Sequence, residues 1–116
     1  MTIYGVSQTS GAERLLEVEQ AGAGVQLTIL DRVGKVVRER IVVPGENLLS
    51  TIVEPTAGGA TIHGTSPVHG TRKLLEIEIR RNEVLLRAHT EAEDGWDVAV
   101  GLDDFQDALE GVVTAE

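Results

Sequence analysis

The chain has 116 residues, 41% of them apolar, with 10 Lys and Arg against 19 Asp and Glu, a formal net charge of −9 and no Cys. A single domain of this length buries about two-thirds of its unfolded surface, so it needs neither disulfide nor structural metal, and the missing Cys excludes thiolate chemistry and points to a reducing, cytoplasmic compartment. No apolar run reaches the roughly 20 residues of a membrane span, and Met1 to Ser10 lack the basic and apolar regions of a signal peptide, so no membrane partner is expected.

In chain order, Thr2 to Ser7 is short and β-prone, and the Ser, Thr and Gly cluster from Gln8 to Gly11 reads as a turn. Leu16 and Val18 alternate with Glu17 and Glu19, the period-2 pattern of a half-buried strand. Gln20 to Gly24 turns the chain, after which Val25, Leu27 and Ile29 form a third strand. The DRVGK turn, Asp31 to Lys35, leads into Val36 to Val43, with Val37, Ile41 and Val43 on one side and Arg38 and Arg40 on the other. Pro44 and Gly45 end that strand, and Leu48, Leu49, Ile52 and Val53 then fall on one helical stripe.

The connector EPTAGGA, Glu54 to Ala60, precedes a second set of the same elements. Thr61 to Ser66 opens it. Leu75, Ile77 and Ile79 then point in against Glu76, Glu78 and Arg80, and Val84, Leu86 and Ala88 follow after a turn at Arg81 to Glu83. Past the AEDG turn, Trp96, Val98, Val100 and Leu102 form a fourth strand, Asp103 with Gln106 reads as an N-cap pair, and Phe105, Leu109 and Val112 line a helix.

The recurrence extends to the letters. Residues 2–19 (TIYGVSQTSGAERLLEVE) and 61–78 (TIHGTSPVHGTRKLLEIE) share nine identities in eighteen, with Arg14 facing Lys73 at an offset of 59. At that offset Val37 faces Trp96, Ile41 faces Val100 and Val43 faces Leu102, and at an offset of 60 Leu49, Ile52 and Val53 face Leu109, Val112 and Val113. The expectation is one domain over residues 1–116, with internal repeats at about 2–56 and 61–116. The fold class expected is α+β: two tandem ββββα repeats forming an intramolecular pseudo-twofold dimer, each antiparallel sheet with a helix packed on it.

Four antiparallel strands and a helix, occurring twice in the blocks TIYG to LSTIV and TIHG to LEGVV, resembles the Whirly-like group, which includes Whirly proteins, Pur-alpha repeats and the transcriptional positive cofactor 4 domain. The resemblance covers the whole chain and lies in architecture, without a signature peptide. It implies binding of single-stranded DNA or RNA across the strand faces.

Such binders combine basic grooves with aromatic platforms. Here the aromatics are Tyr4, Trp96 and Phe105, and the last two fall on inward registers, which leaves Tyr4, matched by His63, as the ring for either an exposed or a packing role. The cations placed to meet phosphates are Arg32, Lys35, Arg38, Arg40, Arg80, Arg81 and Arg87. The competing reading is cross-strand pairing of these cations with Glu17, Glu19, Glu76 and Glu78. All 10 cations lie in residues 1–90 beside 10 acids, whereas residues 91–116 hold nine acids and no cation, which makes the C-terminal segment an acidic end.

Catalytic and metal motifs are missing. His63, His69 and His89 lack the spacing of a zinc site, Asp94, Asp97, Asp103 and Asp104 suit turns and caps, and Gly58 and Gly59 precede a strand and not a helix, so no cofactor is expected. The expected function is a non-enzymatic single-stranded nucleic-acid-binding module. Its alternative is a protein-interaction or assembly module that binds no nucleic acid, with a homodimer as a way to cover strand edges.

Overall fold

The computed structural model describes residues 1–22, 24–54, 59–91 and 95–113. Pro55 to Gly58 of the connector, Ala92 to Asp94 of the AEDG turn, and the last three residues of the acidic end lie outside the described residues.

Alternation of apolar and polar residues produces strands β1 (Thr2–Val6), β2 (Glu13–Ala21), β3 (Gly24–Asp31) and β4 (Val37–Pro44), then helix α1 (Gly45–Val53). Strands β5 (Ala60–Thr65), β6 (Arg72–Arg80), β7 (Glu83–His89) and β8 (Trp96–Gly101) and helix α2 (Leu102–Val113) complete the chain. Each strand pairs antiparallel with the next, β4 pairs with β5, and β8 returns to β1, so the eight strands form one closed barrel.

This corrects the α+β expectation. No pair of sheets each carrying its own helix exists: the strands are a single sheet closed on itself, and the helices touch each other, with α2 also reaching across to β2 and β3. Inward residues of the strands, such as Leu16, Leu27, Ile41, Leu75, Leu86 and Val98, pack with Leu48 and Ile52 of α1 and Phe105, Ala108 and Leu109 of α2 in one core. Both helices leave the strand ends of β4 and β8, so they close the same end of the barrel and fill its interior. Phe105 is 0% exposed at the centre of that filling. Apolar residues predominate at the inward positions of the strands. Among the described residues no helix is long and apolar enough to cross a membrane.

Closure is uneven. Hairpin ladders run up to eight residue pairs, as between β2 and β3, but β1 meets β8 only through Gly5 with Val100 and Val6 with Ala99, and β4 meets β5 only through Val42 with Thr65. Both seams carry a glycine from the matched TIYG and TIHG peptides. A Cβ on Gly5 would collide with the Val98 side chain and lie 2.6 Å from the Ala99 carbonyl oxygen, and one on Gly64 would lie 2.6 Å from the Val42 carbonyl oxygen. Strands approach there closely enough to exclude any side chain.

The pairing also corrects the alignment of the two segments. Leu27 faces Ile41 in the first and Leu86 faces Val98 in the second. Leu86 lies 59 residues after Leu27, yet Val98 lies 57 after Ile41, so Ile41 corresponds to Val98 and Val43 to Val100. The same shift matches Leu48 with Phe105 and Ile52 with Leu109, all four buried. Asp103, expected as a cap, lies inside the first turn of α2.

Candidate functional site

Strand faces and the turns beside them carry the residues expected to bind nucleic acid, and Arg32, Arg38, Arg80 and Arg87 among them lie against carboxylates. Arg32 Nη1 donates to Glu13 Oε2 at 2.9 Å, and its guanidinium lies 4.9 Å from the centre of the Tyr4 ring. The hydrogen bond and charge of Glu13 hold Arg32 above its ordinary pKa, and Glu78 does the same for Arg80. Arg80 grips Glu78 with two bonds, at 2.8 Å and 3.1 Å. Arg38 pairs with Asp31 at 2.5 Å, and Arg87 lies 3.8 Å from Glu76, which His89 also approaches at 3.3 Å.

Lys35, Arg40 and Arg81 carry no salt bridge among the described residues, but they are dispersed. Lys35 sits in the turn between β3 and β4, Arg81 in the turn between β6 and β7 at the opposite end of the barrel, and Arg40 on the outer face of β4. Lys35 and Arg81 have φ of 50° and 53°, so both are the left-handed residues that let their hairpins turn. Arg80 and Arg87 share a groove. It holds about 590 Å³ across the outer faces of β6 and β7, with Glu76, Glu78 and Asp97 as its acids, Leu85 in its floor and Gln8 and Thr9 at one rim. Its charges alternate in sign.

Sequence reasoning missed the most interconnected polar cluster. At the end of the barrel away from the helices, Arg14 of β2 is nearly buried and reaches Asp97 of β8 through both the main-chain oxygen, at 2.5 Å, and the carboxylate, at 3.1 Å. Asp97 also accepts hydrogen bonds from Ser7, Thr9 and the Gln8 N–H at 2.8 to 2.9 Å. Burial pushes the Asp97 carboxyl up, and these hydrogen bonds together with the Arg14 charge outweigh it, holding the group below its ordinary value. Trp96, expected in the core, is half-buried at this mouth, with the Arg14 and Arg38 guanidinium carbons each 4.9 Å from its ring centre.

The matched position across the barrel repeats the device with other letters. Lys73 pairs with Glu39 and donates to the main-chain oxygen of Arg40 at 3.2 Å. The facing of Arg14 and Lys73 in the duplicated peptides was the available signal. These pairs span this mouth of the barrel. Arg14 Nε and His89 Nε2 are the buried side-chain polar atoms without a hydrogen bond among the described residues.

The His residues do not converge. His63 lies on β5, with Nδ1 3.1 Å from Arg72 Nη2, His69 is in the following turn, and His89 ends β7. Among the described residues no three His, Asp or Glu come together in a metal-holding group.

Comparison of the chain with protein-family models, with curated proteins and with solved structures returned no match. The Whirly-like resemblance therefore remains an expectation drawn from the sequence.

Proposed function

We propose that this protein is a non-enzymatic protein-interaction module. One observation carries the reading: Arg38, Arg80 and Arg87 on the strands and Arg32 in the turn between β3 and β4 each lie against a carboxylate. Paired charges of alternating sign offer no continuous track for a phosphate backbone. They suit a surface that recognises side chains and main chain of another protein, where polar rims give register and specificity. The filled interior leaves the outer faces and edges as the places where a partner can dock. Tyr4, at 66% exposure, and Val6, at 42%, supply apolar area on one of those faces.

The test sets two ligand classes side by side. Labelled single-stranded DNA and RNA of about 20 nucleotides are titrated with the full chain at about 50 mM salt, and the same protein is applied to an array of extended peptides of varied charge. The expected result is saturable binding to a subset of peptides and none to oligonucleotides. Micromolar oligonucleotide binding that falls linearly with log salt overturns the reading.

A further inference from the structure

We infer that the free edge of β1 takes up an extended, basic segment of a partner protein as an added strand, an inference that rests on the interaction-module reading. On one side β1 is paired with β2 along its whole length, Thr2 to Val6. On the other its ladder to β8 stops at Gly5, because β8 ends at Gly101 and the chain turns into α2. Gly101 registers opposite Tyr4, and beyond it Thr2 and Ile3 run on with no β8 residue opposite them among the described residues. An unpaired strand edge is a template for another strand.

Alongside this edge lies a groove of about 340 Å³ lined by Met1, Thr2, Ile3, Tyr4, Asp104 and Asp107. The Asp104 carboxylate folds back over the end of β8, with Oδ2 3.2 Å from where a Cβ on Gly101 would sit. Asp104 and Asp107 are exposed and carry no salt bridge among the described residues. At the matching place in α1, 57 residues earlier, stand Asn47 and Ser50, so the negative charge belongs to this edge and not to the fold.

Charge selects the occupant. A second copy pairing through the same edge would bring four carboxylates together, and a nucleic acid would add phosphates to them, whereas Lys or Arg finds both acids unspent. Successive side chains of a strand point to opposite faces, at about 3.4 Å per residue. An added strand therefore places alternate residues toward Asp104 and Asp107 and the intervening ones beside the exposed Tyr4 ring. The fitting segment is basic at every second position and apolar between, and the two open residues give it about 7 Å of main-chain pairing.

The experiment uses a labelled peptide of about eight residues alternating Lys and Val, its Glu and Val counterpart, and two versions of the Lys peptide N-methylated on the odd or the even amides. Each is titrated by anisotropy against the full chain and against the Asp104→Lys, Asp107→Lys double variant, whose fold is checked by thermal melting. The Lys peptide is expected to bind the native chain and to lose about tenfold or more in affinity to the double variant. The Glu peptide is expected to prefer the double variant, and one of the two methylation registers to abolish binding while the other does not. Binding of the Lys peptide that ignores both the charge reversal and N-methylation overturns edge docking but leaves the interaction-module reading intact. No binding of the Lys peptide likewise overturns edge docking alone, and oligonucleotide binding in its place removes both readings. A dimer in sedimentation that the double variant abolishes would assign the edge to a second copy and overturn the basic partner.

Discussion

Arg14 illustrates what one buried charge does in this barrel. Its guanidinium bridges β2 to β8 across the mouth, with Asp97 at 3.1 Å and Asp31 at 3.8 Å. Arg14→Ala leaves Asp97 without its cation while Asp31 keeps Arg38, and we expect a loss of about 3 kcal/mol in urea unfolding, part of which Arg14→Lys recovers, since Lys73 fills the matching place. Asp97 gives a pH signature. Its folded pKa is depressed, so its contribution is fully present above the unfolded value, near pH 4, and is lost as pH falls through the folded value. Urea midpoints measured from pH 6 to pH 2 should drop more steeply in the native chain than in Asp97→Asn, and equal slopes would remove Asp97 from the acid response. The pairing of Arg14 with Lys73 was legible in the duplicated peptides, but its inward direction was not. A charge at a strand's start reads as solvent-facing, and only closure of the barrel turns that position into a mouth.

At the scale of elements, period-2 alternation made the individual strands legible, and the helical stripes marked α1 and α2. Closure was not legible, because a barrel strand with one face in and one out carries the same alternation as a strand of an open sheet. The two-residue slip of β8 escaped for a related reason, and α2, aligned at an offset of 60 and found at 57, slipped by three, which keeps a helical face. A shift by two keeps every side chain on its face, so Val98 and Val100 look equally good opposite Ile41 until the ladder is seen. The seam glycines are the element-level test. Gly5→Ala and Gly64→Ala each force a Cβ into a carbonyl oxygen 2.6 Å away, and we expect each to cost about 1 to 3 kcal/mol with additive effects, because the seams share no partners. Denaturation of the two single variants and the double variant measures this, and a harmless Gly5→Ala would contradict the close crossing of β1 and β8.

For the whole molecule, one core joins both halves of the chain through Leu48, Ile52, Phe105 and Leu109. Unfolding should therefore be a single transition, with the fluorescence of Trp96, the sole Trp, and far-UV circular dichroism tracing the same curve. Separate transitions for the two probes would mean that the halves are independent. Phe105→Ala, at the centre of that core, should move both probes together by about 3 to 5 kcal/mol. The seams add a mechanical consequence. A tensile load applied between β1 and β8 falls on two residue pairs, and one between β4 and β5 on a single pair, whereas every hairpin resists along a full ladder. Stretched in an optical trap from handles on adjacent strands, the barrel should part at its seams at low force and yield two leaves of four strands, long before any hairpin unzips.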